Sequence, residues 1–201
     1  MEADWEIEIG PEAPVIEARW PGFVDLRHAP ERIKEIEEAR RFPALAEALI
    51  SLNRPKSWPD SGIGCDAASE SRVWTAKCDL WALDPSLDPW DADELDAASS
   101  ESVAALACYI DLLSRDASVF AGLDEAETWA RATVFRLRQT VCRCCRADLV
   151  IRRAFKGDQE ILGITVYTTA CGADTIAAEE ALRDALMALV GAIGTATSNS
   201  A

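Results

Sequence analysis

The segment Trp5-Glu6-Ile7-Glu8-Ile9 alternates strictly between apolar and acidic residues, and in the next extended run Ile16, Ala18 and Trp20 share one side while Glu17 and Arg19 take the other. A two-residue period puts alternate side chains on opposite faces of a strand, so both segments read as short strands with one wet face. Gly10-Pro11-Glu12-Ala13-Pro14 separates them and Pro21-Gly22 ends the second. The period then changes. Behind Pro30, a residue suited to a first helical turn, Ile33, Ile36 and Ala39 recur at helical spacing, which predicts a helix over about residues 30–41. Pro43 has no amide proton to continue that ladder, so it opens a second helical piece carrying Leu45, Ala48, Leu49 and Leu52.

Residues 53–72 have no period and are rich in Pro, Gly and Ser, as a surface loop is. Two strands are expected on either side of a second irregular stretch, Asp84 to Glu101: one with Trp74, Ala76, Cys78 and Leu80 on a single face, the other with Cys108, Ile110 and Leu112. Asp124, with Glu127 three residues on, resembles a capping box. Ala126, Ala130, Thr133, Leu137 and Val141 form a stripe behind it, which predicts a helix over about 125–142. Leu149, Ile151 and Phe155, then Ile164, Val166 and Thr168, describe a hairpin with a loop of about five residues around Lys156-Gly157-Asp158. Asp174 caps a last helix with a wide stripe from Leu182 to Ile193. Residues 195–201 read as a frayed, disordered tail.

These elements predict one α+β domain over residues 1–194, with an antiparallel or mixed sheet covered on one face by helices as a two-layer sandwich. The order strand, strand, helix, strand, strand, helix in the second half also fits a duplicated ββα unit, although no residues match between the copies beyond pattern.

Composition narrows the class of partner. The chain has 201 residues and a net charge of −15. That balance disfavours nucleic acid and anionic membranes and favours a protein partner, either a second copy or a basic chain. The acidity is concentrated in the first hundred residues. No stretch is apolar enough to span a bilayer and the first residues are acidic, so a cytoplasmic protein is expected. With seven cysteines, an odd number without an export signal, reduced thiols are expected rather than a disulfide framework.

Candidate chemistry is sparse. Cys142-Arg143-Cys144-Cys145 contains a C-x-x-C spacing. A helix C-terminus is the wrong end for a stabilised thiolate, and a zinc site needs further ligands that the chain does not offer nearby. Cys142, Cys144 and Cys145 are therefore expected mainly as small buried hydrophobes, with metal binding and then a redox role as the weaker readings. Cys171 lies at a strand end just before the helix capped by Asp174, where free amides would favour a thiolate if the Asp174 carboxylate did not occupy them. His28 is the sole histidine, so any Cys–His or Ser–His–Asp mechanism would depend on it.

Arg131, Arg136, Arg138, Arg143, Arg146, Arg152, Arg153 and Lys156 crowd one stretch against the single acid Asp148. Internal pairing with the acidic run Asp79 to Asp96 is the expected arrangement, with an anion site built from Arg136, Arg143, Arg152 and Arg153 as the alternative. Trp58, Trp81 and Trp90 fall in or beside loops where no stripe explains them and are candidates for partner contact. Phosphate loops, a nucleophile elbow and H-E-x-x-H are all absent, and no cofactor is expected. The sequence favours a non-enzymatic interaction or accessory protein, then an anion or small-molecule binder using the arginines with Cys171 and His28, then a metal-stabilised domain.

Overall fold

The computed structural model describes residues 1–18, 21–54, 73–83, 104–115 and 119–194. Its sheet contains β1 (Glu2–Glu8), β2 (Ile16–Glu17), β3 (Val73–Leu83), β4 (Ala104–Ser114), β5 (Cys145–Lys156) and β6 (Gln159–Gly172). The strand order is β1-β5-β6-β4-β3, with β2 also paired to β5. The sheet is mixed. β1 and β2 run parallel to β5, end to end along the same strand, whereas β5–β6, β6–β4 and β4–β3 are antiparallel. The class is therefore α+β, as expected.

A 3₁₀ helix (Pro30–Glu35) opens with Pro30 in its first turn, and Ile36, in an extended conformation, separates it from α1 (Glu37–Arg41). The single helix expected over 30–41 is thus broken. Pro43 does open a new helix, α2 (Pro43–Asn53). α3 (Leu123–Arg138) ends four residues short of the expected boundary, so Ala126, Ala130, Thr133 and Leu137 are buried while Val141 is 93 % exposed. Its N-cap is Gly122 rather than Asp124, and no side chain caps it; Asp124 and Glu125 lie in the first turn. There they still favour the positive end of the helix dipole. α4 (Thr175–Gly194) is capped as predicted, the Ala177 amide donating to Asp174 Oδ1 at 2.8 Å.

The helices lie on the sheet face that presents Cys108, Ile110, Leu112, Leu149, Ile151, Ile164 and Val166. These residues pack with Leu137 of α3, Leu182, Leu186 and Leu189 of α4, and Leu45 and Leu49 of α2. Removing this apolar surface from water is the main source of stability. The β5–β6 turn is two residues, Gly157-Asp158, between paired Lys156 and Gln159. Pairing runs further toward the tip than the apolar pattern indicates, because Gly157 at φ +66° closes the hairpin tightly.

At one end of the opposite face, Ile16, Ala18, Trp74, Ala76, Leu113 and Ala154 form a second cluster, with Phe23 edge-on to Trp74 and the Arg27 guanidinium 3.8 Å above the Trp74 ring. The segment that follows β1 therefore folds over one end of that face. Among the described residues no helix is long and apolar enough to cross a membrane.

Candidate binding site

Beyond the Trp74 cluster, the face opposite the helices is polar and aromatic. Strand alternation brings Asp4, Glu6 and Glu8 of β1, Arg146, Asp148 and Arg152 of β5, Thr165, Tyr167 and Thr169 of β6, Tyr109 and Asp111 of β4, and Lys77, Asp79 and Trp81 of β3 to this face. Register sets the pairs: Tyr109 lies opposite Tyr167 on β6 and opposite Asp79 on β3, and Asp111 lies opposite Thr165.

An aromatic ladder crosses the strands. Trp81 and Tyr109 have ring centroids 6.2 Å apart, Tyr109 and Tyr167 6.0 Å apart, and the Arg152 guanidinium lies 5.5 Å from the Tyr167 centroid. Both ring pairs are tilted, within the spacing at which aromatic quadrupoles attract. Lys77 reaches the same ladder, its ammonium 5.8 Å from the Tyr109 centroid.

A polar chain runs beneath it. Arg152, 8 % exposed, donates from Nη1 to Tyr167 Oη at 3.0 Å and to Thr165 Oγ1 at 3.3 Å, and its Nη2 donates to Glu8 Oε2 at 2.6 Å. Thr165 Oγ1 donates in turn to Asp111 Oδ1 at 2.7 Å. Burial holds the Asp111 carboxyl above its usual range, against the opposing pull of the Thr165 hydroxyl, Arg152 and Lys77. Arg146 grips Asp148 with two hydrogen bonds, at 2.7 and 2.9 Å.

Two adjoining cavities sit over this face, of about 550 and about 350 Å³, and Arg152 and Tyr167 form the wall between them. The larger is lined by Asp4, Glu6 and Asp148 against Arg146 and Arg152, with Trp5, Trp81 and Tyr167 as its aromatic walls. With both arginines held by carboxylates, the local balance is acidic. The arrangement can receive a cationic or flat group over the rings, while Arg152, Tyr167, Thr165 and Asp111 are tied to one another and Arg146 to Asp148.

The four arginines considered for anion binding do not converge. Arg136 binds the Ala192 carbonyl at 2.8 Å and Thr133 Oγ1 at 3.1 Å, tying α3 to the end of α4. Arg153 leaves β5 on the side opposite Arg152 and pairs with Glu160 across the hairpin at 2.6 Å. Arg143 is exposed in the α3–β5 connection. Arg152 alone reaches the cavities. Of the acidic run expected to cover these arginines, only Asp79 to Leu83 lies within the described residues; Arg152 pairs with Glu8 and Arg153 with Glu160 instead, and the neighbouring Arg146 with Asp148.

Cys171 is 2 % exposed in a small apolar cluster with Ala105, Leu83 and Cys144. His28 has a side chain 79 % exposed, with Nδ1 3.0 Å from Asp25 Oδ2, so these two do not meet. Cys144 packs toward Cys171, away from Cys142 and Cys145, which turn toward α4. Among the described residues no group of three or more His, Cys, Asp or Glu is placed to hold a metal ion. Trp58 and Trp90 lie outside the described residues. Trp81, expected beside a loop, is within β3 and stands in the ladder.

The sequence reading missed Lys77, Tyr109, Asp111, Thr165 and Tyr167. Their signal was present: each is a polar or amphipathic residue at the alternate positions of an otherwise apolar strand. On the larger scale of whole proteins there is no guide, since no family model, no curated protein and no solved structure matches the chain.

Proposed function

We propose that the protein is a non-enzymatic binding protein that docks a basic partner chain on the uncovered face of its sheet. The observation that carries this reading is the ladder Trp81–Tyr109–Tyr167 standing in a cavity whose carboxylates outnumber its arginines. Aromatic rings supply rigid contact area at low entropic cost and attract cations to their faces. Glu6 lines the cavity, is exposed, and has no ion-pair partner among the described residues. The protein's net charge of −15 would steer a basic chain toward it at long range. Binding is favoured over catalysis because Arg152, Tyr167, Thr165 and Asp111 are hydrogen-bonded to each other rather than aimed at a reacting atom.

Fluorescence anisotropy with lysine-rich, neutral and glutamate-rich peptides of equal length tests the reading. The lysine-rich peptide should bind selectively, more weakly as salt rises, and Trp81→Ala or Glu6→Lys should each weaken it severalfold. Equal binding of the three peptides, or Trp81→Ala binding as the parent does, would remove the support.

A further inference from the structure

The turn between α3 and β5 holds two thiols against the same carbonyl. Cys144 has φ +61°, a left-handed conformation uncommon for a residue with a side chain, and it reverses the backbone so that Cys142 and Cys145 face α4 together. Cys142 Sγ lies 3.9 Å from the Ala181 carbonyl oxygen and Cys145 Sγ 3.3 Å from it. The single thiol proton of Cys145 also has the Arg143 carbonyl at 3.0 Å. The two are not equivalent. Cys145 is 2 % exposed and belongs to the main core, whereas Cys142 is half-buried at the core's edge between the exposed Val141 and Arg143.

We propose that Cys142 and Cys145 are a redox-active dithiol that exchanges with small-molecule disulfides, Cys142 attacking and Cys145 resolving. The expectation that a helix C-terminus opposes a thiolate here loses its force, because α3 ends at Arg138 and dipole effects fade within the last turn. Its interaction with Cys145 holds the Cys142 thiol below its usual range, against the opposing effect of burial, helped by the Met1 ammonium and opposed by Asp184. The same interaction, together with burial, pushes Cys145 up, which suits a thiol that reacts second. The other paired thiols are poor competitors: burial pushes Cys78 and Cys108 up to about 12.

The exchange balances in two steps. Cys142 thiolate attacks one sulfur of a disulfide RSSR, forming a mixed disulfide and releasing RS⁻. Cys145 then gives its proton to solvent and attacks Cys142 Sγ, closing the Cys142–Cys145 disulfide and releasing a second RS⁻. The protein dithiol loses two electrons, RSSR gains them, and both released thiolates are protonated to RSH. The disulfide needs an Sγ–Sγ separation of about 2 Å, and the shared Ala181 carbonyl already gathers both sulfurs on one side of the turn.

The test uses the full chain equilibrated with graded ratios of reduced to oxidised glutathione, acid-quenched and read by intact mass and peptide mapping. The expected result is one two-electron step that maps to Cys142–Cys145, and in Cys145→Ser a glutathione adduct confined to Cys142. The wild-type titration needs no variant, so it stands even if Cys145→Ser fails to fold. Overturning results are a chain that keeps both thiols reduced at every ratio, or a disulfide that joins any other cysteine, Cys65 and the Cys144/Cys171 pair included.

Discussion

The Arg152 guanidinium holds Glu8 Oε2 with two donors, Nη2 at 2.6 Å and Nε at 3.1 Å, and so fastens the edge strand β1 to β5 across the open face. The two residues are register partners in a parallel pair, a pairing that links residues far apart in the chain.

Arg152→Ala removes that fastening and takes the donor away from Tyr167 and Thr165 as well. The Glu8 side chain is 41 % exposed, so the loss is that of an interior hydrogen-bond hub rather than of a fully buried ion pair. A cost of about 1–3 kcal/mol is expected. Arg152→Lys should recover only part of it, since an ammonium cannot reproduce the fork. Urea unfolding reads the difference. A change below about 0.5 kcal/mol, the range of ordinary surface substitutions, would count against the hub.

Much of this face was legible before the structure, and the reason it was not read is specific. Alternation predicted β1, β3, β4 and the β5–β6 hairpin, and Pro43 and Asp174 marked helix starts that the structure keeps. Alternation in one strand does not say which strand lies beside it, so the opposition of Asp4, Glu6 and Glu8 to the β5 arginines was not available from sequence alone. Nor was the separation of Arg152 from Arg153, which follows only once both are placed in one strand. The Ile36 break and the early end of α3 depend on local backbone preference that an apolar stripe does not encode.

Asp111 and Asp25 should give opposite pH responses. Burial raises Asp111, so the folded chain holds this proton more tightly than the unfolded one, where an aspartate titrates near about 3.9. As pH rises through that window the unfolded state binds fewer protons, and this residue's contribution to stability falls. Asp111→Asn removes the dependence, so its stability relative to the parent should improve between about pH 3 and pH 7. Asp25 is held well below its usual range by hydrogen bonds from Arg27. Its contribution is present above about pH 4 and lost as pH falls, so Asp25→Asn should lose stability at pH 7 and converge on the parent in acid. Urea midpoints across pH check both signs, and parallel curves for either variant would contradict it.

Asn53 ends α2 inside the protein, 1 % exposed. Its Nδ2 donates to the Leu49 carbonyl at 2.8 Å and to Thr75 Oγ1 at 2.5 Å, while its Oδ1 accepts the Thr75 amide at 3.2 Å. The Thr75–Cys78 register shift in β3 lies at this contact, so the side chain stands in for a ladder partner. Asn53→Leu, of similar size, leaves the Thr75 amide without its acceptor and should cost about 1–3 kcal/mol. Asn53→Asp keeps the acceptor, loses the donors and buries a charge, and should be worse at pH 7 than at pH 4. Equal unfolding midpoints for Asn53→Leu and the parent would show that the contact carries no net energy.

Gly172 and Gly191 separate close approach from flexibility. A Cβ on Gly172 would fall 2.4 Å from the Ala178 amide nitrogen and 2.7 Å from Ala177, because the first turn of α4 packs directly on the end of β6. Backbone cannot yield as a side-chain tip can, so Gly172→Ala must push α4 away from the end of β6. Overpacking of this kind costs about 1–3 kcal/mol, which for a chain of this length lowers the melting temperature by several degrees. Gly191 lies in α4, exposed, with nothing within 4 Å of a built Cβ. Gly191→Ala should therefore stabilise the protein by up to about 1 kcal/mol through helix propensity alone. Scanning calorimetry of the two variants beside the parent should give shifts of opposite sign; a loss of stability in both would mean that the C-terminal half of α4 is as tightly constrained as its start.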